Sequence, residues 1–85
     1  MKKYIALMKL THKGTSEIHS IPQRLADAAI RLESMGGRMT DFYATSGAYD
    51  YVGITRVPNE RVAKDFIASL NSDGYLRTTT LRGKR

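Results

Sequence analysis

Ser46-Gly47-Ala48-Tyr49-Asp50-Tyr51-Val52-Gly53-Ile54 reads as a turn opening directly into a strand. Gly47 has no Cβ to restrict a tight reversal, and from Tyr49 to Val57 the side chains alternate with the two-residue period of a β-strand. Arg38 to Thr45 carries the same period, with Phe42 and Ala44 on one side and Met39, Tyr43 and Thr45 on the other. Two such runs around Ser46-Gly47-Ala48 predict a hairpin.

Helices are announced on both sides of this hairpin. Downstream, Pro58-Asn59-Glu60 supplies a turn residue, an N-cap and an early carboxylate, followed by the stripe Val62, Ala63, Phe66, Ile67 and Leu70. Asn71-Ser72-Asp73-Gly74 ends that helix, and Tyr75 to Leu81, dense in β-branched Thr, is the last strand. Upstream, Pro22 sits in the first turn of a helix whose stripe is Ile21, Leu25, Ala28, Ala29 and Leu32. Gly36-Gly37 stops it with a left-handed C-cap; following a helix, the pair does not have the placement of a phosphate loop. Lys3 to Leu10 is a first strand, joined to the helix by a polar connection over Thr11 to Ser20. The order β-α-β-β-α-β predicts an α+β, ferredoxin-like sandwich: a four-stranded antiparallel sheet with two helices on one face.

The Gly47-x-Tyr49-Asp50 signature, Leu10-Thr11 with Gly14, Pro22-x-Arg24, Gly36-Gly37, Phe42-Tyr43 and the closing Arg77-Thr78-Thr79-Thr80-Leu81-Arg82 resemble the GYD domain family over nearly the whole chain. The resemblance implies a dimeric α/β barrel, in which two protomers join sheet to sheet around an interior able to hold a small molecule. Related barrels host cofactor-free oxygenase or isomerase chemistry on aromatic or quinone-like substrates, which supplies an alternative to a purely binding role.

At 85 residues and 9.5 kDa the chain is a single domain, residues 1–85, small enough for self-association to add useful burial. No Cys is present, which removes disulfides and thiolate chemistry and suits a reducing cytoplasm. The apolar run Tyr4 to Met8 is too short for a signal-peptide core or a membrane span. The net charge of +6 suggests anionic partners, yet the basic residues are scattered, with one cluster at Arg82-Gly83-Lys84-Arg85, and this argues against a nucleic-acid surface.

Alternation divides the sheet into two faces. Phe42, Ala44, Val52, Ile54, Ile5 and Leu7 form an aliphatic and aromatic set expected under the helices. Tyr4, Met8, Tyr43, Thr45, Tyr51, Gly53, Thr55, Arg77 and Thr79 form a half-polar set expected to face a second copy or a ligand. From this second set Tyr4, Tyr43, Tyr51, Arg77 and Thr79 are candidate ligand-binding residues, with His12 from the first connection. Arg77 would contact an anion or carbonyl, with the Thr79 hydroxyl beside it.

Asp50, at the start of a strand, either fixes the turn by accepting backbone N–H groups or presents a carboxylate at a pocket mouth, and Tyr49 either packs at an interface or anchors a ligand. His12 and His19 are the two imidazoles; with no third ligand near them in sequence, neither metal nor cofactor is expected. No nucleophile constellation is visible. The enzyme alternative would draw on Tyr43, Tyr51 and His12 for proton transfer.

Overall fold

A computed structural model describes residues 1–83; Lys84 and Arg85 of the terminal basic cluster lie outside the described residues. Strand β1 (Lys2–Leu10) leads through a short helix α1 (His12–Ser16) and a 3-10 turn (Ile18–Ser20) to helix α2 (Ile21–Ser34). Strands β2 (Arg38–Ala44) and β3 (Tyr51–Val57) form the hairpin, and helix α3 (Glu60–Asn71) precedes strand β4 (Leu76–Arg82). The sheet is antiparallel in the order β2-β3-β1-β4. This is the ferredoxin-like arrangement expected from the element order, with α2 and α3 packed on one face.

The helix ends are made by the expected residues. Asn59 Oδ1 accepts from Val62 N–H at 3.0 Å, the N-cap bond that frees α3 of one orphan donor. Gly36 has φ +87°, its N–H donates to Glu33 O at 3.0 Å, and Gly37 N–H donates to Leu32 O at 2.9 Å. These two bonds close α2 in a Schellman motif, which needs a residue tolerant of the left-handed conformation at Gly36.

The core lies between the helices and one face of the sheet. Ile21, Leu25, Ala28 and Leu32 of α2 meet Ala63, Phe66 and Leu70 of α3, while the sheet contributes Tyr4, Ala6, Met8, Val57 and Leu76. Phe66, Met8, Ile21, Leu32 and Val57 are completely enclosed; each stabilises the fold by about 1.5–3 kcal/mol relative to exposure.

The face assignment for β1 and β3 is therefore reversed from the sequence expectation. Tyr4, Met8, Gly53 and Thr55 are buried beneath the helices and Tyr51 packs against that core, whereas Ile5, Leu7, Val52 and Ile54 lie on the helix-free side. Strand β2 keeps its expected orientation only beyond its bulge, with Phe42 on the helix side and Tyr43 opposite; Met39, expected on the side of Tyr43, instead packs against the core on the side of Phe42. The register explains the reversal: a bulge between Met39 and Asp41 sets Phe42 against Gly53 and Tyr43 against Val52. On the buried side Thr55 Oγ1 donates to Tyr4 O at 2.9 Å, whereas the buried Thr78 hydroxyl, opposite Met8, has no hydrogen-bond partner among the described residues. Gly53 also makes room for the ends of Met8 and Met39; a Cβ on it would lie 3.3 Å from Met8 Cε and 3.5 Å from Met39 Cε.

The connection after β1 is more ordered than its polar composition suggested. Thr11 caps α1, accepting from Gly14 N–H at 3.1 Å while its hydroxyl donates to Gly74 O, and Thr11 N–H donates to Tyr75 O at 3.1 Å. Tyr75 is buried, with the Arg24 guanidinium 3.4 Å from its ring centroid and Lys13 Nζ at 4.4 Å. Arg24 is held in turn by Asp73 at 3.1 Å. These contacts tie the start of β4 to the end of β1.

Candidate functional site

The turn before β3 is organised by Asp50. Its N–H donates to Met8 O at 2.9 Å, its carbonyl accepts from Thr45 N–H at 2.9 Å, and its Oδ2 accepts from Leu10 N–H at 2.8 Å. Asp50 thus clamps the start of β3 to the end of β1. Gly47 takes φ +114° at the exposed tip, where an L side chain would be strained. Thr45 Oγ1 donates to Tyr49 O at 2.6 Å and Lys9 Nζ to Ala48 O at 3.3 Å. Asp50→Ala is expected to lower stability by about 2 kcal/mol, because it strips a charge-assisted bond from a part-buried N–H. Asp50→Asn, which keeps an acceptor oxygen, is expected to lose less than half of that in urea unfolding.

The side of the sheet opposite the helices is a second candidate surface. Its centre is aliphatic: Ile5 and Leu7 of β1 stand opposite Ile54 and Val52 of β3. Tyr43 and Leu81 flank them, 55% and 56% exposed, and Thr79 pairs with Leu7. Both ends carry a cationic excess. Arg38, Arg56 and Lys3 stand abreast on β2, β3 and β1 at one end, with Asp41 beside them opposite Ile54, and Lys9 is opposite Arg77 at the other.

The candidate ligand residues are distributed over three places. Tyr43, Arg77 and Thr79 share the helix-free face. Tyr4 and Tyr51 stand on the opposite side, so they do not line that face. Tyr51 stacks on Phe42, ring centroids 5.6 Å apart, and both line an apolar hollow of about 330 Å³ with Pro22, Leu25, Ala26 and Met39. His12 meets Arg77, Lys9, Leu10 and Thr11 in a smaller depression of about 230 Å³. Tyr49 lies on the turn, 37% exposed.

Sequence reasoning missed Ile5, Leu7, Val52 and Ile54 as surface residues and Lys9 as a neighbour of His12. Gly53 was the available signal: a central-strand glycine marks the side on which other groups approach the backbone closely. Among the described residues there is no cluster of three or more His, Cys, Asp or Glu able to hold a metal ion, and no helix long and apolar enough to cross a membrane.

The GYD domain family model matches residues 4–84. The chain belongs to the GYD domain family. A similar Thermus thermophilus protein, named glutamine synthetase and cystathionine beta-lyase binding protein, is 29% identical over 82 residues, covering 95% of this chain and 86% of the relative. Among solved structures, one from Thermus thermophilus superposes with a TM-score of 0.64 at 18% identity, covering 100% of this chain and 95% of that one. The Mycobacterium tuberculosis leucine response regulatory protein LrpA gives a TM-score of 0.65 at 19% identity, covering 99% of this chain and 51% of that one. At these identities the superpositions establish a shared fold.

Proposed function

We propose that this chain is a non-catalytic binding module that works as a homo-oligomer, the helix-free faces of two copies closing on each other sheet to sheet. The observation that carries this reading is the aliphatic centre formed by Ile5, Leu7, Val52 and Ile54 on a face that the chain's own helices do not cover. An apolar centre with a charged rim is the anatomy of a protein interface. In a small domain the added burial offsets a marginal core. The interior between two such faces is a place for a small molecule, with Tyr43 and Thr79 available to it.

The relative named for binding glutamine synthetase and cystathionine beta-lyase supports enzymes as the second class of partner. The oxygenase or isomerase alternative has less support in the geometry. Its proton-transfer groups diverge, Tyr51 beneath the helices, Tyr43 on the opposite face and His12 at the end of β1. A cytoplasmic setting fits a cysteine-free binding module.

Native mass spectrometry of the purified protein tests the proposal. A dimer or a multiple of dimers is expected, and retained extra mass would show the interior loaded; a monomer at micromolar concentration would overturn the reading. The two cationic ends add a second expectation. Sheets packed in alignment bring basic end against basic end, so association should tighten severalfold as ionic strength rises from low to physiological salt and screens the repulsion. Sedimentation equilibrium across a salt series measures this.

A further inference from the structure

We infer that the end of the sheet where β1 meets β4 binds a small dianion carrying a phosphate group or paired carboxylates. Lys9 and Arg77 are direct partners in the antiparallel register, which places their Cβ atoms about 4.5–5.5 Å apart, and like charges so opposed destabilise a sheet. The same opposition recurs among Arg38, Arg56 and Lys3 at the other end, and the Lys9/Arg77 pair is singled out by the depression beside it, to which His12 adds a third polar group. An oxyanion bridging the two cations relieves their repulsion.

The surroundings suit that ligand. His12, Leu10 and Thr11 complete the depression of about 230 Å³ around Lys9 and Arg77. Two of its backbone donors are committed within the chain, Leu10 N–H to Asp50 Oδ2 and Thr11 N–H to Tyr75 O, and the Thr11 hydroxyl is bonded to Gly74 O. Lys9 spends one donor on Ala48 O. No ion pair among the described residues involves Lys9, His12 or Arg77. One carboxylate, that of Asp50, is bonded at this end, against two permanent cations and an imidazole donor.

The guanidinium of Arg77 offers a planar fork for two oxygens, and the ammonium of Lys9 a point charge for a third. Ligand sites span roughly 300–1,000 Å³, so a depression below that range selects a ligand little larger than its anionic group. The residues lining the site all come from one chain.

Isothermal titration calorimetry at fixed ionic strength, with inorganic phosphate in one arm and succinate in the other, decides the matter. The unmodified protein is expected to bind at least one probe, and the arm that binds identifies the class. Arg77→Gln should weaken that binding about tenfold or more, the scale of one charge-assisted contact. Arg56→Gln, which removes the same charge from the opposite end of the face, should change it by less than about twofold. Lys9→Gln carries the same expectation as Arg77→Gln and replaces it if that variant does not fold. Equal weakening at both ends, or no binding of either probe by the unmodified protein, would overturn the inference.

Discussion

Leu7→Lys is expected to convert the associated protein into a monomer while leaving the fold in place. Leu7 is half-buried at the centre of the helix-free face, opposite Val52 on one side and Thr79 on the other. In a single chain the longer side chain can lift its ammonium into water, so the change should cost no more than about 1 kcal/mol. In a sheet-to-sheet contact the same ammonium loses its water among Ile5, Val52 and Ile54, a penalty of several kcal/mol per ion. A twofold contact incurs it twice. A loss of only about 3 kcal/mol would weaken association by more than a hundredfold, which sedimentation velocity beside far-ultraviolet circular dichroism will show. Ala68→Lys, on the exposed side of α3, should leave the mass unchanged. If Leu7→Lys keeps the mass of the parent, the contact lies elsewhere.

Gly14→Ala is expected to destabilise the protein by about 3 kcal/mol, combining overpacking with a lost hydrogen bond. Gly14 is buried in α1, and a Cβ there would sit inside contact distance of the Tyr75 carbonyl oxygen and 3.1 Å from Leu10 Cδ2. That carbonyl accepts from Thr11 N–H, so relief by movement breaks the bond joining the two strand ends. For a domain of this size each kcal/mol shifts the melting temperature by about 4–8 °C, giving a fall of at least about 12 °C in a thermal scan. A melting temperature within a few degrees of the parent would contradict so close an approach of α1 to β4.

The helices were legible because their information is local. Ile21, Leu25, Ala28 and Leu32 recur at helical spacing, Asn59 caps and Gly36 stops, and each acts within a turn or two of itself. The face of each strand was legible only where register did not intervene. Phe42 and Tyr43 were placed correctly, but Tyr4, Tyr51 and Thr55 were assigned to the half-polar face because hydroxyls do not suit a dry core. Thr55 finds a backbone carbonyl on the neighbouring strand, a bond visible only once β1 and β3 are paired. The bulge near Thr40 decides which side of β3 matches Phe42, and no sequence period reports it. Helix α1 was illegible for a related reason: it has no apolar stripe and is held by Thr11 and Gly14 against Gly74 and Tyr75, some 60 residues away.

The site followed the same pattern. Asp50 could be singled out as a carboxylate at a strand start, while its bond to Leu10 N–H depends on the β1/β3 pairing. Arg77 and His12 could be named from chemistry, while their meeting with Lys9 depends on the β1/β4 register.

Hydroxyl-radical footprinting of the unmodified protein, read by mass spectrometry at Tyr43 and Tyr49, tests the covering of the helix-free face most directly. In one chain Tyr43 is the more exposed, 55% against 37%. Association through this face predicts that Tyr43 oxidises more slowly than Tyr49 at micromolar concentration and that dilution or Leu7→Lys restores its reactivity. Tyr43 oxidising faster than Tyr49 at every concentration would contradict it.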